Sequence, residues 1–273
     1  MRRYIAALLV LATAAAAVKV YGAFVGSSKA LLIDGLTSIA NLVAAVGVIH
    51  YSRYERVPAD RDHPYGHYRL SLAGILVILM AYSFVAGVGI PELISVEPYR
   101  VLSVATTYAV LGIILYLITV SLAKFLGSKQ LVTYAIFTYS EVFESIVTIA
   151  AVVGGYMLSW IIDWVGGLCI LSFLMYELVK TAKEFIESIS DVAPPKEVVD
   201  KVYSTARKYG LNVANVRIRK VVDGVYQGEV CIVCNSSNNL MDVYSNVMKF
   251  EEQLRSYGID ACVRISIKQV SNS

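Results

Sequence analysis

Residues 30–49 read ALLIDGLTSIANLVAAVGVI. With its flanks the run is long enough to cross a bilayer, which takes ~20 predominantly apolar residues in a helix. Yet Asp34, Thr37, Ser38 and Asn41 stand inside it at i, i+3, i+4 and i+7. That spacing puts all four on one face of a helix. Lipid rejects such a face, since a charged side chain at mid-helix costs ~2.5–3.5 kcal/mol on insertion scales. The stripe therefore predicts a membrane helix with one side turned to protein or water.

The rest of the chain supports a membrane setting. Of 273 residues, 57% are hydrophobic and 16% charged, against about a quarter charged in a typical soluble domain. The apolar residues gather into six segments: 4–25, 30–52, 70–93, 101–124, 130–157 and 159–183. The third and fourth are cleanest, with no charge over Leu70–Ile90 or Val101–Ala123. The others hold a few charges, among them Lys19, Asp34, Glu141, Glu144, Asp163 and Glu177. Arg2 and Arg3 before an apolar run look like a signal peptide. An uncleaved first span is expected instead, because five more apolar segments follow.

Loop charges predict the orientation. Arg53, Arg56, Arg61 and Arg69 follow the second segment, and Lys124 and Lys129 follow the fourth. The opposite connections hold only Lys29 and Arg100. Lys and Arg favour the cytoplasmic side, so both termini are expected there, with the plasma membrane as the simplest location. A net charge of +3 without a basic stripe argues against a nucleic-acid partner.

After SDVAPP (190–195) the pattern changes. Residues 196–210 and 240–258 have helical spacing and end in glycine, while NVANVRIRKV, GVYQGEVCIVC and DACVRISIKQV alternate as strands. Asp223-Gly224 reads as the turn between the first two strands. The expected architecture is a six-helix transmembrane domain, 1–190, followed by a small α+β domain, 191–273, with the order αββαβ and a ferredoxin-like fold. Cys169, Cys231, Cys234 and Cys262 show no disulfide framework. Cys231 and Cys234 should face opposite sides of one strand, and free thiols are expected.

The fifth segment has a polar stripe of its own: Tyr134, Thr138, Glu141, Ser145 and Thr148, with Glu144 beside it. The two stripes are expected to face each other. Carboxylates one helical turn apart repel unless a cation or a proton lies between them. The donors are carboxylate, amide and hydroxyl oxygens, a set that suits Mg, Ca or Mn rather than zinc or copper. A hard divalent cation, or protons, is the expected occupant. Two plainer roles stay open at this point. Ser, Thr and Asn often join membrane helices, and Asp34 has an ion pair with Lys19 available to it. A second cluster lies in PADRDHPYGHYR (58–69), where Asp60, His63 and His67 fall within eight residues. His and Asp at such spacing suit a three-ligand metal site, with histidines bonded to loop backbone as the alternative.

These residues carry a family resemblance. AAVKVYGAF (16–24), GSSKALLIDGLTSIAN (26–41), the 58–69 loop, SWIIDWVGGLCIL (159–171) and ESISDVAPP (187–195) resemble the cation diffusion facilitators over nearly the whole chain. The loop is the most specific piece. The resemblance implies a divalent metal cation/proton antiporter, dimeric through its cytoplasmic domain, with no organic cofactor. It also maps the family's intramembrane site onto Thr37, Asn41, Phe137 and Glu141, of which only Glu141 keeps a carboxylate. Either the site has moved, with Asp34, Thr37, Asn41, Glu141 and Glu144 forming an oxygen cage for Mn, Fe or another hard cation over Zn, or the protein is a non-transporting accessory subunit. The resemblance leaves Asp60, His63 and His67 as an intact loop site. A further family site would fall on Cys231, Asn246, Ser266 and Lys268, a poor donor set. An enzyme is not expected, as no nucleophile–base pair, phosphate loop or strong redox motif is present.

Overall fold

The apolar segments form long helices joined by short connections: α1 (Arg2–Gly26), α2 (Lys29–Tyr51), α3 (Leu72–Ile94), α4 (Ser103–Phe125), α5 (Tyr139–Met157) and α6 (Trp160–Ile189). The computed structural model describes residues 2–54, 57–125, 139–222, 224–235 and 239–268. Among these, five helices are long and apolar enough to cross a membrane: those at Ala6–Gly26, Lys29–Tyr51, Tyr68–Ile94, Ser103–Leu122 and Trp160–Ile189. The expected fifth segment, 130–157, is described only from Tyr139 onward. Tyr134, Phe137 and Thr138 lie outside the described residues. The last of these helices runs on past the expected 183 to Ile189, because TAKEFIESI remains helix-forming after the apolar stretch ends.

The chain divides into two compact units, Met1–Lys183 and Glu184–Ser273. In the first, α2 packs against α1, α3 and α5, while α4 packs against α1 and α5. Small residues permit the close approaches, as is usual where helices meet in lipid. A Cβ on Gly22 would lie 2.1 Å from Tyr108 Cβ, and one on Gly26 would lie 2.4 Å from Ala105 Cβ. Gly166 of α6 is similarly tight against Ala151 of α5, at 2.2 Å. Met80, Phe84, Ile114 and Ile118 are exposed on the outward faces, as lipid contact requires.

Asp163 fixes the start of α2. This α6 carboxylate is fully buried, and accepts from the Ser28 hydroxyl at 2.6 Å and the Lys29 N–H at 2.8 Å. It also accepts from the Ala30 N–H at 3.4 Å and the Tyr99 hydroxyl at 2.8 Å. Ser28 in turn caps the helix by accepting from the Leu31 N–H. The Lys29, Ala30 and Leu31 N–H groups would otherwise be orphaned there, and the carboxylate also meets the positive end of the helix dipole. Burial, and then the charge of Asp163, raise the Tyr99 phenol above its ordinary value.

In the second unit α7 (Lys196–Lys208) is followed by β1 (Val213–Val222), β2 (Val225–Asn235), α8 (Leu240–Ser256) and β3 (Ile259–Lys268). The strand order is β1-β2-β3, with β1 antiparallel and β3 parallel to β2. Val202 and Ala206 of α7 and Val247, Phe250 and Leu254 of α8 cover Ile218, Val230, Ile232 and Ile259 on the sheet. The β1–β2 turn passes Gly224, at φ +77. Gly258 also sits at φ +77, and a side chain there would meet the Gly224 carbonyl at 2.2 Å.

Candidate metal centres

The two predicted stripes meet. Thr37 of α2 has its hydroxyl 2.9 Å from Glu144 Oε2 of α5. Asn41 of α2 and Tyr116 of α4 lie close enough to Glu141 to act on its carboxylate. Tyr82 of α3 donates to Asn41 Oδ1 at 2.7 Å, which orients the amide. Thr37, Glu141, Glu144, Ser145 and Thr148 are all buried, and Asn41 is half-buried. Thr148 turns away from the cluster to donate to the carbonyl of Glu144 within its own helix.

Two carboxylate oxygens retain spare lone pairs. Among the described residues, Glu141 Oε2 is buried and has no hydrogen-bond partner. Glu144 Oε2 shares the single proton of Thr37, whose hydroxyl is also 2.9 Å from the Asp34 carbonyl. Buried polar atoms are seldom left without partners, so an orphaned carboxylate oxygen beside a second carboxylate points to a cationic ligand.

Asp34 is placed differently. Its Oδ1 accepts from Lys19 Nζ at 2.8 Å, and its Oδ2 lies 3.5 Å from Ser145 Oγ. Lys19 is fully buried and also donates to Ser38 Oγ at 3.0 Å and Ser145 Oγ at 2.8 Å. Asp34 thus forms the ion pair with Lys19 that the sequence made available to it. Ser38 and Ser145 here join helices. The hydroxyls of Tyr82 and Tyr116 escaped the sequence reading. Each is an uncharged polar tip in a segment without charged side chains, so nothing in its own segment marks it as part of the site.

The loop cluster is also assembled. Asp60, His63 and His67 bring one ligand atom each within 4.8 Å of one another. They do so across a turn, not on a helix. The Asp60 Oδ1 accepts from the N–H groups of Asp62 at 3.0 Å and His63 at 2.7 Å. This side-chain turn at Asp60, with Gly66 at φ +86, bends the loop back on itself. His67 is buried, with Nδ1 3.0 Å from the Pro58 carbonyl and Nε2 3.3 Å from Asp60 Oδ2. With Nδ1 donating to Pro58, the Nε2 lone pair faces a carboxylate oxygen, an arrangement that a bound cation satisfies. The backbone N–H of His63 is the main cause holding the Asp60 carboxyl below its ordinary value.

On the sheet, Cys231 is half-buried and Cys234 buried, in keeping with opposite faces, and both are free thiols. Cys231 Sγ lies 3.4 Å from Ser266 Oγ, a contact of weak donors. The Lys268 side chain lies outside the described residues.

Comparison with known protein families matches residues 5–190, more than half the chain, to the cation efflux transmembrane domain. The chain belongs to the cation efflux (cation diffusion facilitator) family. It is an integral membrane protein of a transporter family and not an enzyme. Among its relatives is the manganese efflux system protein MneS of Bacillus subtilis, 28% identical over 265 residues, covering 92% of this chain and 90% of that one. Manganese efflux system protein MneP of the same organism is 28% identical over 199 residues, 66% of this chain and 64% of its own. Metal tolerance protein C1 of Arabidopsis thaliana is 26% identical over 203 residues, covering 65% of this chain and 43% of that protein.

Proposed function

We propose that this cation efflux protein moves a divalent metal cation out of the cytoplasm in exchange for protons, with manganese as the favoured cation. The observation that carries the reading is the buried Glu141 Oε2, without a hydrogen-bond partner among the described residues, beside Glu144 and the oxygens of α2. Glu141 is the central anionic ligand, Glu144 supplies a second charge, and Asn41 and Thr37 supply neutral oxygens. Asp34 belongs to the same polar group and keeps Lys19 close. An all-oxygen donor set suits Mn over Zn, and two relatives are named as manganese efflux proteins. Metal binding requires deprotonated carboxylates and so displaces protons, which gives antiport a physical basis.

In this reading the membrane domain, 1–190, has six spans, with α5 as part of the fifth. The domain at 191–273 is ferredoxin-like and joins two copies of the chain. Both termini face the cytoplasm and the membrane is the plasma membrane. Asp60, His63 and His67 form a second metal site at the cytoplasmic surface. The test is metal flux into proteoliposomes across manganese, iron, zinc and cobalt, with and without a pH gradient. Manganese flux driven by the gradient is expected to exceed zinc flux. Zinc preference would contradict the oxygen-cage reading, and no flux of any metal would favour the accessory-subunit alternative.

A further inference from the structure

We propose that Lys19 is a positioning residue of the transport site: its ammonium stays locked to Asp34, withholds that carboxylate from the metal, and leaves Glu141 and Glu144 as the charges the cation meets. The inference rests on the transport reading above and assigns the buried charges within it.

The geometry is that of a lock. An ammonium has three N–H donors, and those of Lys19 are all used, on Asp34, Ser38 and Ser145, at 2.8, 3.0 and 2.8 Å. The three acceptors come from α2 and α5, so one side chain of α1 ties three helices together. The stem is seated as well. A Cβ on Gly112 of α4 would lie 2.6 Å from Lys19 Cγ, so the glycine makes room for the chain. Tyr116 presents its ring 5.7 Å from Nζ. The groups facing the pair are Ser38 of α2, Glu141, Glu144 and Ser145 of α5, and Tyr116 of α4.

Pulling Lys19 off Asp34 would leave two buried charges unpaired, a state proteins avoid. A cation that needed Asp34 would have to do this at each cycle. A cation that uses Glu141 Oε2 displaces no partner. The pair also sets the charge. With Lys19 neutralising Asp34, two carboxylates face the metal, which matches a divalent ion. Without the ammonium, three would face it, and a divalent ion would be held too strongly to leave.

A mutant cycle tests the assignment: Lys19→Gln, Asp34→Asn and the double variant, each purified as the full chain. Manganese affinity is read by calorimetry, flux in proteoliposomes, and pairing by thermal melting without metal. Asp34→Asn leaves a positive charge beside the site, and manganese should bind at least about tenfold more weakly. Lys19→Gln should bind more tightly while its turnover falls, as both KM and kcat decrease. The double variant restores the balance, and its affinity and flux should return to within roughly threefold of wild type. Its melting point should also recover relative to the single variants. A double variant as weak as Asp34→Asn would overturn the proposal, because Asp34 would then be a metal ligand. The double variant is decisive even where a single variant fails to fold. Were wild type neither to bind nor to move manganese, the transport reading would fall. The melting cycle would still decide the Lys19–Asp34 lock, and additive melting shifts would refute it.

Discussion

Replacing Asp163 should loosen the helix that carries half of the site. The carboxylate accepts from Ser28 and Tyr99 hydroxyls and from the Lys29 and Ala30 N–H groups. Hydrogen bonds to charged groups contribute ~1.5–3 kcal/mol each, but four donors on one carboxylate do not add in full. The helix-dipole contribution is ~0.3–1 kcal/mol. Asp163→Ala leaves four neutral donors without their acceptor and should therefore cost about 3–5 kcal/mol, less than the full sum. Asp163→Asn keeps one acceptor oxygen for Lys29 and Tyr99 and turns an amide donor toward Ser28, so its cost should be only ~1–2 kcal/mol. For a chain of this size the alanine variant should melt roughly 10 °C lower. Trp160 and Trp164 flank the site, Trp160 packing on Tyr99 and Trp164 donating to the Leu93 carbonyl. Intrinsic fluorescence on heating therefore reports on this corner directly. An alanine variant that melts with wild type would refute the capping argument. Equal damage from Asn and Ala would show that charge, and not the count of acceptors, sets the effect.

Other outcomes follow from the same structure. Glu141→Gln should abolish manganese flux while the protein still folds, as judged by its melting curve and size-exclusion profile. Gly112→Ala forces a methyl into the Lys19 stem, 2.6 Å from Cγ, and should destabilise by ~1–3 kcal/mol, seen as a lower melting temperature. Replacing His63 and His67 together by Ala should remove a zinc-binding event in calorimetry and leave most manganese flux. Asp60 has a folded-state pKa below its ordinary 3.8. Its contribution to loop order is then present above about pH 4 and lost as pH falls through the folded value, which hydrogen exchange of the 58–69 amides would follow.

Much of the membrane unit was legible because side-chain period is strict in a helix. The spacing of Thr37 and Asn41 against Glu141 and Glu144 was enough to place both stripes on one seam. The 58–69 loop was legible as a ligand cluster but not in its conformation. Spacing of four suits a helix turn, whereas the backbone uses an Asp60 turn and a left-handed Gly66 to reach the same meeting. The strands and their succession along the chain followed from alternation, whereas their order in the sheet and the parallel pairing of β2 with β3 are tertiary facts.

Other features depend on partners far away in sequence. Asp163 and the start of α2 are 135 residues apart at Ser28, and nothing local to either marks the cap. Lys19 and Ser145 are 126 residues apart. A helical wheel gives the face of each residue but not its depth, so it left Asp34 divided between a metal and Lys19. Tyr82 and Tyr116 carry no charge to mark them, and their place at the site shows only once Asn41 and Glu141 are brought beside them.

The most direct measurement is anomalous scattering at the manganese edge from crystals of the protein grown with manganese. The account predicts a peak between Glu141 and Glu144, beside Asn41 and Thr37, that disappears in Glu141→Gln. A peak confined to Asp60, His63 and His67, or one seated on Asp34 with Lys19 displaced, would contradict it.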